Sequence, residues 1–316
     1  MTTGLAPGAP RPLQPLVFDC AGERLLGLLH PAGGRLGLVI VVGGPQYRAG
    51  SHRHFVTVAE AAAAAGHPTL RFDVRGMGDS TGALRPFEQL GPDIGAAIDA
   101  LVAAQPQVEQ VVLWGLCDGA SAALIYLHER RDPRVAGLCL LNPWVRSVTS
   151  QARAQVKHYY LQRLLSADFW RKLLSGGVAA GALAEFVGKL HTARQGDAPA
   201  PADAPSTFQG RMLAGWQRFD GPALLALSGQ DYTATEFLEF TRDQAAWQAV
   251  LARPGVTRLD LAGADHTFSH QEDAQALDRA LLAWLARLQA VATAAPIGRG
   301  PTRPAPAGHA ATPAPR

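Results

Sequence analysis

Leu36-Gly37-Leu38-Val39-Ile40-Val41-Val42 is an unbroken apolar run that stops at Gly43-Gly44. A strand with no polar face has to be covered on both sides, which predicts the interior of a mostly parallel sheet. The rest of the chain keeps that pattern. Leu16 to Leu29 reads as two strands joined at Ala21-Gly22, and further strands are expected at 69–73, 111–114, 135–141, 223–227 and 257–261. Helical segments separate them: Phe55 to Gly66, Ile94 to Ala104, Ala120 to Arg130, and a last one, Gln271 to Ala290, with an apolar stripe through Ala274, Leu277, Leu281, Leu285 and Leu288. Strand–helix alternation of this kind predicts an α/β domain with helices on both faces of its sheet.

One stretch breaks the rhythm. Residues 145–221 hold no convincing strand, only helical patches (Ala152 to Leu165, Trp170 to Leu174, Leu183 to Leu190) and the Pro/Ala/Asp-rich segment Gly196 to Pro205. The expected organisation is therefore a core in two parts, 16–144 and 222–291, interrupted by a helical cap or insertion at 145–221 with a flexible loop. Extra helices packed on the sheet, with no part in substrate choice, are the alternative. The ends, 1–15 and 292–316, are rich in Pro, Gly and Ala, a composition that buries too little to pack, and are expected to be disordered tails.

The chemistry is signalled by Trp114-Gly115-Leu116-Cys117-Asp118-Gly119-Ala120-Ser121, where an apolar strand gives way to an Ala-rich helix. A nucleophile elbow needs that context: small residues two positions away on either side, and a side chain lifted to the carboxyl edge of the sheet. The helix N-terminus behind it is expected to favour an anion and so to lower the pKa of a thiol at 117. Cys139, inside an apolar strand, reads as a structural thiol.

Two partners follow in the order nucleophile, acid, histidine. The run 223–227 leads into Ser228-Gly229-Gln230-Asp231, and 257–261 leads into Gly263-Ala264-Asp265-His266-Thr267-Phe268. Cys117, Asp231 and His266 are thus the expected catalytic set, with His266 carrying the proton and Asp231 fixing its tautomer. Asp265 is a poor rival because adjacent side chains seldom meet productively, and His270 reads as a solvated or capping residue. The oxyanion donors expected are the backbone N–H of Asp118 and, from the loop after the first buried strand, that of Gln46, since Pro45 has no N–H to give.

Asp73-Val74-Arg75-Gly76-Met77-Gly78-Asp79-Ser80 reads as a turn with structural glycines, in which Arg75 and Asp79 brace neighbouring loops. Arg53, from the polar cluster Ser51 to His54, and Arg75 are the cations available to bind a substrate carboxylate. No G-x-G-x-x-G opens a helix, and neither a P-loop nor a metal-ligand spacing is present, so no cofactor and no metal are implied. A formal charge of +3, with no run of Lys and Arg interleaved with aromatics, points away from nucleic acid. The three cysteines form no C-x-x-C pair, which fits a reducing, cytoplasmic setting. No signal peptide and no membrane-length apolar run is evident. The oligomeric state is not legible.

With these residues assembled, the chain resembles the α/β-hydrolase superfamily from about Val17 to Leu288. More narrowly, 41–53, 71–80 and 115–121 together resemble the exosortase A system-associated hydrolases of type 1, which accompany bacterial protein-sorting and exopolysaccharide systems. The dienelactone hydrolases are similar in using cysteine with histidine and aspartate. The resemblance implies hydrolysis or transfer of an ester- or thioester-linked acyl group of a small-molecule or acyl-donor substrate through a cysteinyl acyl-enzyme. Two alternatives stand beside it: an accessory or binding protein that keeps the fold without catalysis, suggested by Pro45, and a dienelactone-type hydrolase of small metabolites.

Overall fold

The computed structural model describes residues 12–44, 46–146 and 206–294. The helical patches and the flexible loop expected between 152 and 205, and nearly all of both tails, lie outside the described residues.

Eight strands form one sheet: Gln14–Cys20 (β1), Glu23–His30 (β2), Leu36–Val41 (β3), Thr69–Phe72 (β4), Gln110–Leu116 (β5), Val135–Leu141 (β6), Ala223–Ser228 (β7) and Val256–Leu261 (β8). Their order is β1-β2-β4-β3-β5-β6-β7-β8. β1 and β2 make an antiparallel hairpin whose turn, Ala21-Gly22, has positive φ at both residues, as a two-residue hairpin turn demands. β2 meets β4 antiparallel, and every later pairing is parallel. The order turns back on itself at β3, because β4 and β5 flank it on opposite sides. Ligands in open sheets of this kind bind at the carboxyl edge beside such a reversal.

β3 shows why the sheet is covered on both sides. Val39 and Val41 pack with Ile94, Ile98 and Leu101 of Gly91–Ala104 (α2) and with Ala120 and Leu124 of Asp118–Glu129 (α3). Leu38, Ile40 and Val42 face the other way, onto Phe55 and Val58 of His54–Ala64 (α1) and onto Leu277, Leu281 and Trp284 of the last helix. Phe208–Arg218 (α4) lies against α3 so closely that a Cβ on Gly215 would stand 1.9 Å from the Leu124 carbonyl oxygen. Two helices not foreseen in the sequence, Tyr232–Arg242 (α5) and Ala245–Leu251 (α6), follow β7. The last helix, Gln271–Ala294 (α7), runs past the expected end at 290 and past the expected start of the tail at 292.

Candidate active site

The elbow is formed by three backbones meeting at the carboxyl ends of β3 and β5. Cys117 has φ 58° and ψ −120°, a conformation that a side chain other than glycine holds only when its surroundings impose it. They do so here. A Cβ on Gly115 would lie 2.4 Å from the Gly119 carbonyl carbon, one on Gly119 2.3 Å from the Val41 oxygen, and one on Gly43 2.2 Å from the Gly119 nitrogen. The Cys117 N–H donates to Leu141 O at 2.8 Å, and its carbonyl accepts from Ala120 and Ser121 in the first turn of α3. Ser121 is itself fixed to the Trp144 carbonyl at 2.8 Å.

Asp231 leaves the end of β7 and is the N-cap of α5. Its Oδ1 accepts from the Thr233 N–H at 3.0 Å and its Oδ2 from Ala234 at 3.3 Å. The same Oδ2 lies 2.8 Å from His266 Nδ1. His266 comes from the loop between β8 and α7, and its pKa is raised above the ordinary value chiefly by the hydrogen bond to Asp231, against the lowering effect of burial. The charges of Asp231 and Asp118 act on both His266 and Cys117, and Cys117 packs against the cluster holding Ala264 and Phe268 of the His266 loop. The structure therefore brings residues 117, 118, 231 and 266 to one edge. The rivals are occupied elsewhere: Asp265 accepts from Thr267 and Ser269 of its own loop, and His270 is exposed at the start of α7, where its carbonyl accepts from Ala274.

The thiol is not the anion expected of it. Burial raises the Cys117 pKa, and the neighbouring Asp118 carboxylate raises it further. The helix N-terminus does not outweigh these two effects, because the thiolate would be taken out of water beside a negative charge.

Of the remaining expected residues, Gln46 has a buried side-chain oxygen without a hydrogen-bond partner, and its backbone N–H is bonded to no described residue. Arg75 is buried, with its fork on Asp93 at 2.7 and 3.0 Å, which commits the guanidinium inside the fold. Arg53 is exposed with φ 59°, in the left-handed region.

Two linkages went unread in the sequence. Arg48, in the loop after β3, donates its N–H to Asp73 Oδ1 at 2.7 Å, pairs its guanidinium with the other Asp73 oxygen, and reaches Asp79 Oδ2 at 2.6 Å. This ties the expected oxyanion loop to the turn after β4. Asn142, at the end of β6, is bonded twice to Ser228, three residues before Asp231. A lone asparagine closing an apolar strand was the available signal for the second.

Among the described residues no group of three or more His, Cys, Asp or Glu could hold a metal ion. No helix there is long and apolar enough to cross a membrane.

Comparison with known proteins supports the fold and corrects the finer kinship. Residues 36–185 match the family described as serine aminopeptidase, S33. No curated protein matches. Among solved structures, an esterase of Pyrococcus furiosus, Pf2001, is 17% identical over 87% of this chain and 92% of its own, with a TM-score of 0.59. The α/β hydrolase GrgF from Penicillium sp. is 20% identical over 89% and 100%, with a TM-score of 0.59. The mouse α/β hydrolase domain-containing protein 10 is 14% identical over 87% and 99%, with a TM-score of 0.53. The expected kinship with exosortase A system-associated hydrolases, and the protein-sorting and exopolysaccharide setting that came with it, is overturned by the match to a serine-hydrolase family. The cysteinyl acyl-enzyme with a Cys-His-Asp triad falls with it, since that family supports Ser-His-Asp chemistry on an ester or acyl substrate. The elbow residue of this chain is nonetheless Cys117. The architecture is borne out: the chain has the α/β-hydrolase fold, a largely parallel sheet flanked by helices.

Proposed function

We propose that this protein hydrolyses an ester-type bond at the carboxyl edge of its sheet, with Asp231 and His266 as the acid–base apparatus and position 117 as the point over which the carbonyl is seated. The 2.8 Å contact between His266 Nδ1 and Asp231 Oδ2, beside a strained elbow, carries the reading. With Nδ1 held by Asp231, the other ring nitrogen is left to take a proton from the attacking group and return it to the leaving oxygen. The N–H of Asp118, with that of Gln46 from the loop braced by Arg48, is assigned to the oxyanion. A small-molecule substrate and a cytoplasmic setting belong to the same proposal. All three cysteines are free thiols, which suits that setting.

The matched family places a hydroxyl where this chain carries the Cys117 thiol. Cys117→Ser installs it with little change in the size of the elbow. The expected result is a variant that a fluorophosphonate probe labels once, with intact mass and peptide mapping placing the label on the introduced hydroxyl. Labelling is expected to be lost on adding His266→Ala. A Cys117→Ser protein that stays unlabelled, or is labelled equally without His266, counts against the site.

A further inference from the structure

β8 ends the sheet, and among the described residues β7 is its one strand partner, from Ala223 beside Val256 to Ser228 beside Leu261. β3, β4 and β7 are buried along their whole length, whereas in β8 Thr257, Arg258 and Asp260 are exposed. The Ala223 N–H donates to Gly255 O and the Gly229 N–H to Leu261 O. Main-chain groups alternate in direction along a strand, so the odd-numbered residues of β8 turn theirs to β7, while Arg258 and Asp260 turn theirs outward. No described residue on that outer side hydrogen-bonds to the N–H or C=O of either one. Their side chains share one face of the strand, where Arg258 Nη2 lies 2.8 Å from Asp260 Oδ1 and both are open to solvent.

A row of free N–H and C=O groups is a template for another strand, and charges on such an edge commonly keep other chains away by repulsion. Charges of one sign would do that. Here Arg258 and Asp260 stand on either side of Leu259 with opposite signs. We propose that β8 is a self-association surface, on which the β8 of a second copy of this chain pairs antiparallel about a two-fold axis through Leu259. In that register Arg258 stands directly across from Asp260 of the second copy, and Asp260 across from its Arg258. Each such pair exchanges both main-chain hydrogen bonds, because these are the residues whose groups point outward. Their side chains meet at cross-strand distance, about 5 Å between Cβ atoms, with attraction on both sides of the axis. A two-fold through Arg258 or through Asp260 would instead set like charges opposite each other, which is unfavourable. The order of the charges thus selects one register, and an isologous contact of this kind closes after two copies. β8 runs into the loop that carries His266, so the interface turns the strand behind the histidine from an edge strand into an interior one.

Sedimentation equilibrium over a concentration series is expected to show the wild-type chain in reversible exchange between monomer and dimer. Arg258→Asp makes the row wholly acidic and Asp260→Arg makes it wholly basic. Each is expected to weaken dimerisation at least about tenfold, with little change in Tm. Mixing the two variants brings opposite rows together and is expected to restore dimers, which native mass spectrometry shows to hold one copy of each variant. Amide exchange reads the strand pairing itself: the N–H groups of residues 258 and 260 are expected to exchange more slowly in the wild-type dimer than in either variant alone. A wild type that stays monomeric, a dimer that both single variants keep, or a mixture of the variants that stays monomeric overturns the proposal. So does a wild-type dimer in which those two N–H groups exchange as fast as in the variants.

Discussion

Asn142 holds Ser228 by two hydrogen bonds, its Nδ2 donating to Ser228 Oγ and its Oδ1 accepting the Ser228 N–H, each at 2.9 Å. Asn142 is fully buried with φ 44° at the end of β6, and its own N–H is bonded to Ala226 O. On the other side of the same loop, the Gly229 and Gln230 N–H groups donate to Leu261 and Ala264 of the segment that carries His266. The acid loop is thus clamped from both neighbouring strands before Asp231 meets His266.

Asn142→Gly tests that clamp, because glycine keeps the left-handed backbone and removes only the amide. The Ser228 N–H would be left buried and unpaired, at a cost of about 2 kcal/mol in a denaturant titration. Ester hydrolysis is expected to lose about tenfold in kcat with KM unchanged, since a small displacement of the acid disturbs the proton transfer and not the binding of substrate. A kcat equal to wild type would show that Asp231 is positioned without Asn142.

The pH dependence follows from the direction in which His266 is shifted. Only the neutral imidazole accepts a proton, and the hydrogen bond to Asp231 holds His266 protonated to higher pH than usual. The ascending limb of kcat/KM is therefore expected to have its midpoint above 6.5. Asp231→Asn removes the main raising contact and its charge, so that burial, which lowers, becomes the largest remaining influence beside the raising charges of Asp118 and Asp265. Its limb is expected to move to the acid side while the plateau falls on the order of 10⁴-fold. A limb that stays in place after Asp231→Asn would detach the acid from the histidine.

Arg48 is expected to matter for stability as well as for the loop. Asp73 is fully buried, and Arg48→Ala would leave its carboxylate with backbone donors only, the N–H groups of residues 48 and 79. Removing one partner of a buried pair costs about 3 kcal/mol, read as a lower Tm. Because the pair braces the segment 46–50, the variant is also expected to lose kcat. Wild-type stability in Arg48→Ala would mean that the backbone donors suffice.

The elbow was legible because its geometry forces glycine at 115 and 119, and the order of Asp231 and His266 followed from strand ends. Continuous apolar runs such as 36–42 and 223–227 were sufficient for the parallel sheet. α5 was missed because Tyr232–Arg242 mixes threonines and aromatics with little helix propensity, although Asp231 caps it. Asn142 with Ser228, and Arg48 with Asp73, join residues far apart in the chain, so no local pattern announces them. The state of the Cys117 thiol was misjudged for a related reason. A helix N-terminus can be read from the sequence, whereas the burial of the sulfur and the direction of the Asp118 carboxylate depend on the folded loop after β3.

On the proposed reading, the pair of Asp231 and His266 drives ester hydrolysis at the elbow. Its most direct test is kcat/KM for p-nitrophenyl butyrate in wild type and in His266→Ala, with Tm confirming that both are folded. His266 is half-buried and exposes a third of its side chain, so its loss is expected to leave the fold intact. A fall of at least about 10³-fold is expected in His266→Ala. A folded His266→Ala protein that hydrolyses the ester at the wild-type rate would contradict it.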